Sequence, residues 1–281
     1  MRLRSTALSP RSHDAGPEHP PIGLADDTAL PAMLVADGRP ADPGLEAIPA
    51  RQRATSRTAF PLLTADDPRI DPRVVAAFDA RNDAVARVRD LRSALSSRWH
   101  ADAPGDRRMV ALVGLDPSVE VAVVAANLAV VSAQFGWRTL LIDGDLEAPA
   151  QDELFRLPNE AGLSTLLRDA GQAPAGIQPT AIEGLTVLTA GPSPLNPAEL
   201  LDRQPLLDAI DGYIGRHRLV VLSLPARAQS ARFDSLATIL SGFDGALVLA
   251  NRHTSGLRPL QRLTAMMAES GVPLLGTVIV P

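Results

Sequence analysis

From Met109 onward, short apolar runs alternate with longer segments of helical spacing. The runs are MVALVG (109–114), TLLI (139–142), LTVLT (185–189), LVVLS (219–223), GALVLA (245–250) and PLLGTVIV (273–280). Continuous apolar runs suit strands covered on both faces, and their alternation with helices predicts a mostly parallel sheet with helices on both sides. Between the first two runs, Val119 to Phe135 is apolar on almost every side, with Val121, Val124, Ala125, Leu128 and Val131 among its residues. Such a helix belongs in the middle of a domain. Upstream, residues 71–99 carry Val75, Phe78, Val85, Val88, Leu91 and Leu95 near helical spacing, which predicts one long or two short amphipathic helices. A polar stretch with Pro104-Gly105 forms a hinge before the first strand. Residues 1–70 are rich in Pro, Ala, Asp and Arg and show no sustained period, the pattern of a disordered leader. The expected division is a leader (1–70), an amphipathic helical segment (71–100) and an α/β domain (106–281).

Composition narrows the chemistry. No stretch of the 281 residues approaches the roughly 18 to 20 uncharged apolar residues of a membrane span, and the opening MRLRSTALSP lacks the apolar core of a secretory signal. The expected location is cytoplasmic. The chain has no cysteine, and His13, His19, His100, His217 and His253 show no ligand spacing, so no metal site is expected. All 27 basic residues are arginine, which removes every lysine-dependent mechanism. A net charge of −5 offers no broad basic surface for nucleic acid.

A strand, a tight loop and a buried helix over Met109 to Phe135 form the setting of a phosphate-binding loop, because backbone N–H groups and a helix N-terminus attract anions. The stretch LVGLDPSVEVAVVAANLAVVSAQFGWRTLLIDGDLEAP resembles the corresponding part of bacterial tyrosine autokinases of exopolysaccharide and capsule assembly, cousins of the septum-site and chromosome-partition ATPases. In that family it reads approximately V-T-S-x-x-P-G-E-G-K-S-T-x-x-x-N-L-A, and Asn127-Leu128-Ala129 fix the register without gaps. Pro117 agrees. Ser118 and Glu120 stand where the family has glycines, Val121 where it has the phosphate-binding lysine, and Ala122 where it has the magnesium-ligating hydroxyl. Without glycine the backbone resists the positive φ of an anion nest, Val121 brings no charge to the phosphates, and Glu120 sets a carboxylate against them. One like-charge contact at roughly 4 Å costs about 4 kcal/mol at an effective dielectric of about 20, enough to undo micromolar binding.

The family's strand-end aspartates, which orient magnesium and water, are matched by Asp143 and Asp145 in LIDGDL, followed by Pro149. A strand-end aspartate equally caps a loop or the next helix. The family's third motif, V-I-I-D-T-P-P, is matched by VVLSLP, with Ser223 in place of the acid. Gly162-Leu163-Ser164 with Leu166-Leu167 resembles its G-L-S-x-x-L segment, and Gly191-Pro192 with Asn196-Pro197-Ala198-Glu199-Leu200-Leu201 its G-P-x-x-x-N-P-x-E-L-L segment. The oligomerisation motif E-x-x-R-x-L-R keeps Arg89, Leu91 and Arg92 but has Ala86 for the acid. Tyr213 is the one tyrosine, so the tyrosine-rich tail of active members has no counterpart, and a packing role is expected for it.

The resemblance implies a Rossmann-like P-loop NTPase fold behind the disordered N-terminal segment. With the loop residues lost, it implies a scaffold that is not an enzyme and uses no cofactor. That scaffold would dock on an inner-membrane co-polymerase or chain-length protein of capsule, exopolysaccharide or holdfast-like assembly, and lie peripheral to the inner membrane through that partner. Arg89 and Arg92 would contribute to a homo-oligomer. Two other readings stand beside it. One is an autokinase with an atypical nucleotide site, in which Asp143 and Asp145 hold magnesium and an arginine such as Arg89, Arg92 or Arg138 replaces the lysine. The other is a partition- or septum-type positioning protein.

Overall fold

A computed structural model describes residues 62–99, 107–168, 176–202, 206–226 and 233–280. The leader up to residue 61 and the hinge at 100–106 lie outside the described residues. Residues 62–70, which composition assigns to the leader, fold as turns against the core: Leu63 N–H donates to the Ala77 carbonyl at 3.0 Å, and Ile70 is buried. Two apolar anchors set among turn residues produce no period, so the sequence pattern passes over them.

Seven strands form one sheet in the order β3-β4-β2-β5-β1-β6-β7. They are β1 (Arg108–Gly114), β2 (Thr139–Asp143), β3 (Ile177–Pro179), β4 (Leu185–Leu188), β5 (Leu219–Leu224), β6 (Gly245–Asn251) and β7 (Leu274–Val280). Every pairing is parallel except β3 with β4. All six apolar runs are strands, and the expected α/β class is borne out. The strand that the runs do not reveal is β3, three residues ending in a proline at the sheet edge, where a missing N–H costs no ladder bond.

Side chains alternate across the sheet and divide the core in two. On one face Val110, Leu112, Leu141 and Val221 meet α1 (Asp83–Arg98), α2 (Val121–Gln134) and α3 (Gln151–Phe155). On the other, Ala111, Val113, Ile142 and Leu222 meet α4 (Leu163–Arg168), α5 (Pro197–Asp202), α6 (Leu206–Ile210), α7 (Phe233–Ile239) and α8 (Leu257–Glu269). The central α2 buries residues from every side, as its all-round apolar sequence requires. It ends at Gly136, whose φ of 91° permits its N–H to turn back to the Ala133 carbonyl.

The amphipathic segment resolves into a 3-10 turn, Val75–Ala77, and α1. Asn82 caps α1 by accepting from Ala84 N–H at 2.9 Å. Asn127 of α2 pins the turn: its Oδ1 accepts from Ala76 N–H at 2.9 Å, and its Nδ2 donates to the Arg73 and Val123 carbonyls at 3.1 and 2.8 Å. Gln134 Nε2 adds a bond to the Ala76 carbonyl at 2.8 Å.

Candidate functional site

The chain leaves β1, crosses β5 and enters β2; leaving β5 it crosses β1 and enters β6. The two connections depart in opposite directions, which opens a crevice at the carboxyl ends of β1 and β5, the position where open α/β sheets bind ligands.

The loop 115–120 lines this crevice and is closed on itself. Asp116 accepts from Ser118 N–H at 3.0 Å and from Thr254 Oγ1 at 3.2 Å, with further short bonds from the Ser118 and Ser255 hydroxyls. Ser118 Oγ also meets Thr254 Oγ1 at 2.6 Å. Burial raises the Asp116 carboxyl, but these donors together hold it below the usual carboxylate range. Val119 N–H donates to the Asp116 carbonyl and Val121 N–H to the Val119 carbonyl. Among the described residues the one non-glycine with positive φ is Arg156, so no loop residue takes the left-handed nest conformation. Val121 turns its side chain onto the end of β1: a Cβ at Gly114 would lie 2.7 Å from Val121 Cγ2. Pro117, Ser118 and Glu120 are exposed, and Ala122 is half-buried with its carbonyl accepting from Gln151 Nε2 at 3.1 Å.

Deeper in the crevice, Asp143 ends β2 and is fully buried. Its Oδ1 accepts from Asp145 N–H at 3.1 Å, and its Oδ2 from Ala150 and Gln151 N–H at 2.8 Å each. Burial raises its carboxyl to about 6 in spite of these three donors. Asp145 Oδ1 accepts from Glu147 and Ala148 N–H at 3.2 and 3.0 Å, so both aspartates cap the loop that leads into α3. Across the sheet Asp143 is in register with Ser223, which places both side chains on the α2 face. The Ser223 hydroxyl is buried without a hydrogen-bond partner, as is Gln151 Oε1. A carboxylate offers about four acceptor directions, so the three backbone donors leave Asp143 one lone-pair direction unused, and that direction is closed to solvent in this conformation.

The arginines expected near the site do not reach the crevice within the chain. Arg138 precedes β2 at its amino end. Arg92 stacks 3.7 Å from the Phe135 ring centroid, at the carboxyl end of α2. Arg89 donates to the Ala80 carbonyl at 2.6 Å. The arginine that sequence reasoning missed is Arg73, near enough to Glu120 for the two charges to interact, although its main partner is Asp71 at 2.9 Å. Asp116, Gln151, Thr254 and Ser255 were also missed. Only Asp116 carries a local signal, an aspartate two residues before a serine in a turn.

Fold and crevice define an α/β domain of the P-loop NTPase class. The septum site-determining protein MinD of Pyrococcus horikoshii, solved with Mg-ADP, superposes with a TM-score of 0.52 at 22% identity over 62% of this chain and 70% of that one. The chimerical protein CapA2B2 superposes with a TM-score of 0.65 at 26% identity, covering 74% of this chain and 89% of that one.

Within that class, the chain belongs to the family of bacterial tyrosine-protein kinases. Tyrosine-protein kinase YwqD of Bacillus subtilis is 31% identical over 176 residues, which is 62% of this chain and 73% of the relative. The putative tyrosine-protein kinase CapB of Staphylococcus aureus is 29% identical over 158 residues, 56% of this chain and 68% of CapB. Against tyrosine-protein kinase wzc of Salmonella typhimurium, the identity is 27% over 208 residues, which span 74% of this chain and 28% of the longer relative. No family model matches the sequence.

These findings correct two expectations. The relatives are named as kinases, so the reading of a chain that is not an enzyme is overturned. The expectation of no cofactor is likewise overturned by a fold neighbour solved with Mg-ADP. Both expectations rested on the loop residues and on Ser223 in place of the third-motif acid, whereas similarity to named kinases extends over most of the domain. Among the described residues, no helix is long and apolar enough to cross a membrane.

Proposed function

We propose that this chain serves capsule or exopolysaccharide assembly as a kinase-family subunit. It takes a magnesium–nucleotide at the carboxyl-end crevice through an atypical set of residues, and it docks on an inner-membrane co-polymerase. The observation that supports the nucleotide reading is the pair of unpartnered buried polar atoms, Ser223 Oγ and Gln151 Oε1, beside the Asp143 carboxylate. Asp143 and Asp145 would hold the cation, and Ser223 would orient a water or a phosphate oxygen next to it. Magnesium, when bound, neutralises phosphate charge that the loop, lacking its lysine, leaves unmet. With that lysine replaced by Val121, affinity is expected to be weak, on the order of 0.1–1 mM. The kinase names of the relatives support the assignment to nucleotide chemistry, and the family resemblance supports the polysaccharide role.

The test is calorimetric titration with ATP and ADP in magnesium, beside Asp143→Asn and Ser223→Val variants. Saturable heat that both substitutions abolish supports the crevice. Absence of heat up to millimolar nucleotide refutes it. The biological half is tested separately by deletion of the gene, which is expected to reduce surface polysaccharide.

A further inference from the structure

The end of the sheet opposite the crevice carries a second concavity, an open cleft of about 650 Å³ at the amino ends of β2, β4 and β5. Its walls include Arg138, Arg216, His217, Thr186, Tyr213 and Glu183. The frame is fixed by the backbone: Thr139 N–H donates to the Gly184 carbonyl at 2.8 Å, and Arg218 N–H to the Arg138 carbonyl at 2.8 Å. The strand ends therefore hold the backbone positions from which Arg138 and Thr186 project at fixed spacing.

The charge in this cleft is uneven. Arg138 and Arg216 are exposed and stand against one lining acid, Glu183. Arg107 lies close enough to His217 to act on its imidazole, and its own partner, Asp211, is 3.6 Å away on the surface. His217 Nε2 meets Thr186 Oγ1 at 2.9 Å, and the Thr186 hydroxyl donates to the Thr139 carbonyl at 3.4 Å. The imidazole tautomer sets which of the two donates in that pair, and Nδ1 is buried with no partner. Arginine forks suit tetrahedral oxyanions, and Tyr213 and Ile182 supply an apolar wall for the body that carries one.

We infer that this cleft binds an organic phosphate or diphosphate, its oxyanion held by Arg138 and Arg216 and its body resting against Tyr213 and Ile182. The site is separate from the magnesium–nucleotide crevice and does not depend on it. The sources of the shared chemistry, a free diphosphate or a sugar-linked one, differ in whether the apolar wall is used.

The experiment titrates the full chain, without magnesium, with inorganic pyrophosphate and with a nucleoside diphosphate sugar, and follows the imidazole signals of His217 by 15N NMR with His217→Asn for assignment. Saturable shifts of His217 are expected, with Kd about tenfold higher in Arg138→Ser and Arg216→Ser, both surface changes that leave the strand backbone intact. The same shifts must persist in Asp143→Asn, which separates this cleft from the crevice. Tighter binding of the sugar ester than of pyrophosphate identifies a sugar-linked ligand; equal binding identifies a free diphosphate. No shift at millimolar ligand, or shifts indifferent to both arginine substitutions, overturns the inference.

Discussion

Substitution of Asn127 by alanine is expected to unfasten the 3-10 turn from the domain. The side chain is the acceptor for Ala76 N–H, whose residue is wholly buried, and a donor to the Arg73 carbonyl. Removing the acceptor leaves a buried N–H unmet, which costs about 1–3 kcal/mol, and loss of the bond to Arg73 adds about 1 kcal/mol. The Val123 carbonyl loses only a second partner in the helix. Alanine's higher helix propensity returns about 0.5 kcal/mol. The net loss is about 1.5–3.5 kcal/mol, a large share of the roughly 5–15 kcal/mol that holds a domain folded. Urea denaturation followed by far-UV circular dichroism measures the global part, read as a lower midpoint at unchanged slope. Hydrogen exchange at the Ala76 amide measures the local part, because that proton exchanges once the turn lifts away. A loss under about 1 kcal/mol, or an Ala76 amide as protected as in the parent, refutes the assigned role of Asn127.

Other expectations concern single groups. Asp143 titrates in the fold at about 6 against 3.8 as a free side chain. In magnesium-free solution the stability held by its protonated form is therefore complete below 3.8 and is lost as pH rises through 6, by about 3 kcal/mol. Asp143→Asn should flatten that part of a pH series of urea midpoints. Gly162→Ala would set a Cβ 2.2 Å from the Thr189 carbonyl oxygen and 2.3 Å from Gly191 N, so backbone must move and thermal melts should show a drop of several degrees or more. Gly212→Ala, with nothing within 4 Å of the new atom, should change the melt little. Asp116→Ala should release loop 115–120 from Thr254 and Ser255, speeding exchange of the Ser118 amide about tenfold or more while global stability shifts by under about 1 kcal/mol.

The central strands were legible because burial on both faces writes itself as uninterrupted apolar runs, and LVVLS or GALVLA can be little else. β3 was illegible for the opposite reason: it is three residues at an edge, held by the β4 backbone and not by apolar side chains. Within the site, Asp143, Asp145 and Ser223 were found because a motif fixes their place at strand ends. The latch between Asp116 and residues 254–255 joins positions more than 130 apart, and Gln151 reaches Asp143 only after the chain turns back into α3. Such contacts depend on the closed fold and leave no spacing to read. Arg92, likewise found through a motif, stacks on Phe135 of its own chain, a contact that its spacing does not reveal.

The strand order also fixes the sequence of events by which the molecule can assemble. Both neighbours of β1 come late in the chain: Arg108 is in register with Leu219, and Val110 with Gly245. At ribosomal rates of roughly 5–20 residues per second, the first apolar strand waits on the order of ten seconds before either neighbour has been made. During that interval the nascent chain presents MVALV with both edges unpaired, and α2 is the local element available to shield it. Folding is thus expected to be slow and to lean on chaperones, with the middle of the sheet closing only after β5 arrives.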